Sequence, residues 1–310
     1  MNEPRRNLMV RLAHAPLRLA QEVTRSRQRH ERAMQDRHLV RPHLDMWGDF
    51  REARLDQINV VREVKKLPNI LRYRPGPLEE DHWSARRINF LAGSFPRWSR
   101  YLEIGVFEGR TLENVKIRRR VGVDPAPRFD LDHLPHGARM HVTTSDAFFA
   151  NAGPGVRFDV AFIDGLHTAQ QTYRDVINTF AHVARGPVLI DDTVPLDEIS
   201  AIPDQEESYR QRDAAGLRGR QWHGDVWRVV VLLERHHDEL EWRTITGEGN
   251  PQTLVWRRRY GTPIVSATAS QIAEAMEPSY RETFAGGTPD FFHSMSESQA
   301  LDECVAGLTA

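Results

Sequence analysis

Three aspartates and a histidine follow two apolar runs of the chain, at the point where each run ends. Asp164 and His167 come after the first run, and Asp191 with Asp192 after the second. Carboxylate oxygens suit Mg²⁺ or a similar hard cation, which keeps waters and binds substrate oxygens. His167 lies three residues beyond Asp164, so it can face the same cleft as a general base. These residue types predict activation of a hydroxyl group, with a metal held by Asp164, Asp191 and Asp192.

Each of these residues also has an ordinary explanation when it is taken alone. Asp164 or Asp192 could cap a helix, and His167 could be a surface or capping histidine. Their joint placement favours a site, because ligands of open α/β sheets bind outside the carboxyl ends of the strands.

The elements that position these side chains follow a strand–helix–strand pattern. Phe158–Asp164 and Val188–Asp192 are short apolar runs that end in acids, typical of buried strands. A helix is predicted between them from Thr168 to about Ala184, where a Gly-Pro pair ends it. This pattern predicts a parallel sheet with the acids at one edge.

A nucleotide-binding unit of strand, turn, helix and strand comes earlier in the chain. One apolar run contains Glu103, glycines follow at Gly105 and Gly109, and a second apolar run ends at Asp124. Glycines let the backbone approach a ligand, and an acid after the second strand can accept hydrogen bonds from a ribose diol. The dinucleotide fingerprint does not fit, because Glu103 and Glu108 occupy two of its glycine positions and would repel a pyrophosphate. A cationic sulfonium-bearing amino acid joined to adenosine meets these requirements.

The pattern E-x-G-x-x-x-G followed by V-G-V-D resembles the first two motifs of class I S-adenosylmethionine (SAM) dependent methyltransferases. The resemblance implies an α/β fold with a Rossmann-like, doubly wound sheet of seven strands, mostly parallel with a reversed last strand. Runs at 240–246 and 253–258 match its terminal hairpin. The SAM-binding residues that it implies are Glu103, Gly105, Gly109, Asp124, Asp146 and Asp164.

Asp146 is assigned to the adenine amino group because family members place an acid after the third strand. Capping of a helix by Ser145 or Asp146 is an alternative that does not exclude this role.

Further motifs resemble one branch of these methyltransferases. The runs I-D-G-L-H, V-L-I-D-D and G-D-V-W are similar to those of sugar and macrolide O-methyltransferases, some of which are metal-dependent. The resemblance covers roughly residues 98–258. Arg228 replaces a frequent Lys and Ala169 a frequent aromatic residue, which leaves the acceptor open. The branch implies O-methylation of a hydroxylated small molecule, such as a glycosylated natural product or a saccharide.

Composition limits the function classes. The formal net charge is −1, so the chain as a whole lacks the excess of positive charge that is typical of nucleic-acid-binding proteins. Cys304 is the single cysteine, which excludes an internal disulfide and a multi-cysteine zinc site and fits a reducing, cytoplasmic compartment. The sequence contains no run of 18 apolar residues, so it does not predict a transmembrane segment.

Four segments are predicted along the chain: a basic helical arm (1–45), a helical accessory segment (46–97), the SAM-binding core (98–259) and a C-terminal extension (260–310). The arm has ten Arg and five acidic residues. It could bind an anionic membrane or a partner subunit in a homo-oligomer, or pack on its own domain.

The polar stretch 195–223 lies within the predicted core. It is either a substrate lid or a surface loop with a short helix.

Two other functions are weighed. A non-catalytic SAM-binding module would keep the glycine turn but has no need for His167 beside three carboxylates. RNA methylation is supported only by the basic arm, which lacks the interleaved aromatic residues that stack on bases. An enzyme acting on a small molecule is therefore the prediction.

Overall fold

A computed structural model of the protein describes residues 82–309. The predicted basic arm and residues 46–81 of the predicted accessory segment lie outside the described residues. The elements are, in chain order, α1 (Trp83–Ser94), β1 (Arg100–Ile104), α2 (Arg110–Asn114), β2 (Arg119–Val123), β3 (Ala138–His141), α3 (Ser145–Asn151), β4 (Val160–Ile163), α4 (Ala169–His182), β5 (Val188–Ile190), α5 (Gln205–Ala214), α6 (Arg228–His236), β6 (Leu240–Ile245), β7 (Gln252–Arg257), α7 (Ala269–Ala275), α8 (Tyr280–Phe284), β8 (Ser294–Met295) and α9 (Glu297–Thr309).

The strands form one sheet in the order β3-β2-β1-β4-β5-β7-β6-β8. Strands β1 to β5 pair in parallel, and β7 is antiparallel to both of its neighbours. The predicted Rossmann-like sheet with a reversed strand is confirmed. It has eight strands where seven were predicted, because the C-terminal extension adds β8 in parallel beside β6.

The strand order reverses between β1 and β4, which places the candidate residues at one edge. Chain connections leave β1 and β4 in opposite directions along the sheet, and such a switch point opens a crevice at the carboxyl ends of the strands. Every residue of β4 and β5 is buried, as expected when helices cover both faces of a parallel sheet. One apolar cluster includes Tyr173 and Trp227, and a second includes Ile88 and Trp256.

Helix α9 was not predicted. It packs on β6 and β7, and its own residues Leu301 and Cys304 are buried in this contact. The apolar residues at 301, 305 and 308 have helical spacing, a signal that the serine- and glycine-containing tail obscured. Burial raises the pKa of the Cys304 thiol, so this cysteine is a core residue.

Two helices begin with side-chain caps. Thr144 caps α3 by accepting a hydrogen bond from the backbone N–H of Ala147 (3.2 Å), so the alternative of a cap by Ser145 or Asp146 is wrong. The carboxylate of Asp225 accepts a hydrogen bond from the backbone N–H of Ala169 at the start of α4 (2.7 Å). Within residues 82–309, no helix is long and apolar enough to cross a membrane.

Candidate active site

The glycine turn after β1 packs directly against the end of β4. Gly105 has a φ of +80°, and a Cβ built on it would lie 1.9 Å from the carbonyl oxygen of Asp164. A side chain here would therefore collide with protein backbone, where a collision with the ligand was the basis of the sequence prediction. Phe107 in the same turn also has a positive φ (+48°), which only a well-determined turn supports in a bulky residue.

Asp124 fixes the conformation of this turn. One carboxylate oxygen accepts hydrogen bonds from the backbone N–H groups of Val106 (2.9 Å) and Phe107 (2.8 Å), and the other accepts from Ala126 (2.7 Å). Each carboxylate oxygen has two lone pairs, so capacity for a ribose hydroxyl remains on the outer oxygen. The geometry gives Asp124 a turn-forming role, and its ribose role stays a prediction.

Glu103 lies inside the fold. Its side chain is only 1% exposed, and it accepts a hydrogen bond from the Tyr101 hydroxyl (2.7 Å). Burial, reinforced by the charge of Asp164, raises the pKa of Glu103 well above its usual range. This carboxyl group is a buried partner of Tyr101, and its contact with SAM stays a prediction.

Gly109 and Asp146 are the other two predicted SAM-binding residues of the first three strands. Gly109 begins α2 with a φ of +80°, and the ring of Phe129 lies 3.1 Å from the Cβ position. Asp146 is half-exposed and is held loosely by Gln171 (3.3 Å) and Arg174 (3.4 Å). Its carboxylate is therefore accessible at the carboxyl end of β3.

The structure brings together the four residues predicted to do chemistry. The Nε2 atom of His167 lies 3.0 Å from an oxygen of Asp164, and its Nδ1 atom lies 3.3 Å from an oxygen of Asp192. The imidazole thus lies between carboxylates from two neighbouring strands. The Asp164 contact is a hydrogen bond, whereas Nδ1 has no aligned hydrogen-bond partner within the described part of the chain.

The cluster shifts the protonation of its members. Burial opposes the charged imidazole, but the hydrogen bond to Asp164 and the charges of the three aspartates outweigh it and raise the pKa of His167 to about 9. Burial and the charge of Asp164 raise the pKa of Asp191 to about 7. Burial and the charge of Asp191 raise the pKa of Asp192. Carboxylates packed at this density repel one another, and the imidazolium offsets part of that repulsion.

Asp191 and Asp192 are held by different means. Asp192 has a φ of +55°, an uncommon backbone conformation for a buried aspartate, and such strain concentrates at functional sites. Asp191 accepts a hydrogen bond from the side chain of Gln252 (2.9 Å). The fully buried guanidinium of Arg87 donates to the same Gln252 (2.6 Å), which connects α1 to the site.

The segment 195–223 returns to this cluster and supplies two residues that the sequence prediction missed. The ring of Trp222 stacks on His167, with centroids 4.8 Å apart and planes 9° from parallel. His223 lies 3.8 Å from Asp192. Burial and the charge of His167 lower the pKa of His223 to about 4. The segment contains the expected short helix, α5, and its end covers the site. The W-H pair before G-D-V-W was the available signal.

The G-D-V-W motif holds the His167 loop in place. Gly224 has a φ of +60°, and a Cβ here would lie 1.7 Å from the carbonyl oxygen of His167. Asp225 caps α4, the helix that begins two residues after His167. Both residues therefore position the loop that carries the imidazole.

The three aspartates have the donor atoms that Mg²⁺ prefers. No group of three or more His, Cys, Asp or Glu side chains in residues 82–309 is placed to hold a metal ion. The imidazole of His167 lies between Asp164 and Asp192. Metal binding by Asp164, Asp191 and Asp192 stays a prediction from the sequence.

Comparison with known proteins identifies a domain in the region that contains the first five strands. Residues 102–193 match the family described as Methyltransferase domain, a stretch from β1 to just beyond β5. No curated protein matches the chain.

Among solved structures, distant similarities exist to several chains. The chain is similar to the O-methyltransferase TomG from Streptomyces achromogenes, at 15% identity over 66% of this chain and 88% of that chain, with a TM-score of 0.39. It is also similar to cofactor-bound Rv0187 from MTB, at 14% identity over 59% of this chain and 84% of that chain, with a TM-score of 0.42. A third similar structure is an O-methyltransferase from Bacillus cereus, at 13% identity over 72% of this chain and 96% of that chain, with a TM-score of 0.39. At these scores the likeness carries no argument about the acceptor.

The family match and the strand order of the sheet both indicate a methyltransferase domain. The resemblance to class I SAM-dependent methyltransferases is confirmed, and the chain carries a methyltransferase domain over residues 102–193.

Proposed function

We propose that the protein is a SAM-dependent O-methyltransferase acting on a hydroxylated small molecule such as a glycosylated natural product or a saccharide. The observation that carries the proposal is the placement of His167 between Asp164 and Asp192 at the carboxyl edge of β4 and β5. A pure SAM-binding module has no use for an imidazole held in this way.

The residues of the glycine turn fit SAM better than a phosphate-bearing cofactor. Glu108 and Asp124 in and beside the turn, together with the accessible Asp146, favour a cationic ligand and disfavour phosphate. When bound, SAM supplies a methyl group on a sulfonium, which an acceptor oxygen attacks in line. Asp164 connects the two parts of the site, because Gly105 packs on its backbone and His167 bonds to its side chain.

His167 is the proposed base. Asp164 accepts a hydrogen bond from Nε2–H and so fixes the tautomer in which Nδ1 carries the free lone pair. In this form Nδ1 takes the hydroxyl proton of the acceptor while its oxygen bonds to the methyl carbon. Asp192, 3.3 Å from Nδ1, stabilises the imidazolium that results. Trp222 covers one face of the ring and Nδ1 is buried, so an acceptor must open this side of the site to reach Nδ1.

The proposal is tested with methyl-labelled SAM and a panel of saccharides, glycosides and phenols, with His167→Asn as the matched variant. We expect label in an ether linkage that resists mild alkali, and a decrease in kcat of about 10²-fold or more in His167→Asn with SAM affinity retained. Label recovered in RNA would support the alternative acceptor class. SAM binding without transfer to any class would support the non-catalytic module.

A further inference from the structure

A second cavity lies on the face of β1, β2 and β3 that α3 covers. Its volume is about 910 Å³, and it runs from Arg100 and Arg119, at the amino ends of β1 and β2, to Thr143 and Ala147, beyond the carboxyl end of β3. Its arginine-lined end is therefore the end remote from the carboxyl ends of β4 and β5, where His167 follows β4. A cavity of this size is typical of pockets that take small organic ligands.

Three neighbouring strands each place an arginine on the same face in this cavity. Arg100 on β1 is in direct register with Arg119 on β2. Arg139 on β3 is in register with Val121, two residues beyond Arg119, so its side chain points to the same face. Arg118 and Arg157 also line the cavity. Like charges in direct register on neighbouring strands destabilise a sheet unless a counter-charge lies between them.

The protein itself supplies no such counter-charge among residues 82–309. The lining contains no Asp or Glu, and none of Arg100, Arg119 and Arg139 forms an ion pair in the described part of the chain. Asp159 is adjacent in the fold, but one of its carboxylate oxygens is taken by the backbone N–H groups of Ser99 and Arg100. Arg120 differs from the others because it donates to backbone carbonyl oxygens.

The inner wall of the cavity is apolar. Val121, Phe148, Val156 and Phe158 line it beside α3, and both phenylalanines are more than 90% buried. Buried rings of this kind cannot stack on extended bases, which disfavours single-stranded nucleic acid. An apolar wall with an arginine rim suits a molecule that has an apolar body and two or more phosphate charges, because the guanidinium fork matches phosphate oxygens.

We propose that this cavity binds an organic pyrophosphate, with its charged group held by Arg100, Arg119 and Arg139 and its apolar body against the wall formed by Val121, Phe148, Val156 and Phe158. The arginines lie at the amino ends of the strands, whereas the other end of the cavity, at Thr143 and Ala147, borders Asp146. This binding role goes beyond the proposed methyl transfer. It gives the protein a means of recognising a phosphorylated ligand at the end of the sheet remote from the reaction.

The test is isothermal titration calorimetry on the full chain saturated with S-adenosylhomocysteine, so that binding at the SAM site does not contribute. The probes are geranyl pyrophosphate, inorganic pyrophosphate and geraniol. We expect geranyl pyrophosphate to bind most tightly, inorganic pyrophosphate at least about tenfold more weakly because it lacks the buried apolar body, and geraniol weakest. Each of Arg119→Gln and Arg139→Gln should weaken pyrophosphate binding by about tenfold or more.

Arg259→Gln is the matched control, because it removes one positive charge from an exposed arginine outside the cavity. It should leave the affinity unchanged. Equal losses in Arg259→Gln and Arg119→Gln would mean non-specific attraction and would overturn the proposal. So would binding of single-stranded RNA in preference to geranyl pyrophosphate, or no binding of either pyrophosphate at millimolar concentration. Methyl transfer without pyrophosphate binding would overturn this proposal alone.

Discussion

Trp222 lies flat on the imidazole of His167, with ring centroids 4.8 Å apart. The two residues are far apart in sequence. His167 contacts carboxylates through both of its ring edges and an indole through one face. A base held on several sides is pre-organised for proton transfer.

Removing this stacking partner should slow catalysis. We expect Trp222→Ala to lower kcat by about tenfold or more, because water enters beside His167 and the ring gains freedom of rotation. SAM affinity should be retained. Trp222→Phe keeps an aromatic face and should recover most of the rate. Equal rates in Trp222→Ala and the unsubstituted protein would show that the stacking has no catalytic role.

The rate should depend on pH through His167. Only the neutral imidazole accepts a proton, and the pKa of His167 is raised to about 9. The logarithm of kcat is therefore expected to rise with pH and to level off only above about pH 9. Asp192→Asn removes one of the negative charges that raise this pKa, so the midpoint should move to lower pH. A midpoint that stays fixed in Asp192→Asn would contradict the assignment of the titration to His167.

Asp124 should matter for both SAM affinity and the glycine turn. Asp124→Ala leaves the backbone N–H groups of Val106 and Phe107 without their acceptor and removes the proposed ribose contact. We expect SAM binding to weaken by roughly 1–3 kcal/mol, measured by calorimetry. The thermal midpoint should also fall. Unchanged affinity in a folded Asp124→Ala protein would contradict the ribose assignment.

Gly105→Ala should destabilise the fold through backbone crowding. The added methyl group would lie 1.9 Å from the Asp164 carbonyl oxygen, in a residue whose φ is +80°. We expect a loss of about 2 kcal/mol or more in the free energy of unfolding. Gly93→Ala is the control, because nothing beyond the adjacent backbone of its own helix lies within 4 Å of its Cβ position, and its effect should be small. Equal stabilities of the two variants in urea would contradict this reason for the glycine.

A chelator distinguishes a metal ion held by the three aspartates from a metal-free reaction in which His167 is the base. Since His167 already lies between Asp164 and Asp192, we expect turnover to persist in excess EDTA, with SAM affinity unchanged. Loss of turnover that added Mg²⁺ restores would instead support the metal predicted from the sequence, and would require the imidazole to move aside. His167→Ala measured under both conditions separates the role of the base from that of the cation.

The sequence by itself determined the elements that local pattern controls. Short apolar runs ending in acids located β4 and β5, and the glycine spacing located the turn after β1. These features were predictable because strand burial and turn conformation depend on a few adjacent residues. The chain positions of Asp164, His167, Asp191 and Asp192 followed from the same runs, since parallel strands end at a common edge.

Only the tertiary structure decided which groups touch. The contact of Trp222 with His167, the capping of α4 by Asp225 and the support of Asp191 by Gln252 join residues that are distant in sequence. The sequence predicted His167 and the carboxylates in one cleft, and the fold decides that the imidazole lies between Asp164 and Asp192. The row of arginines on β1, β2 and β3 also arises only from strand register. Such contacts depend on how packed elements meet, and no local periodicity encodes that arrangement.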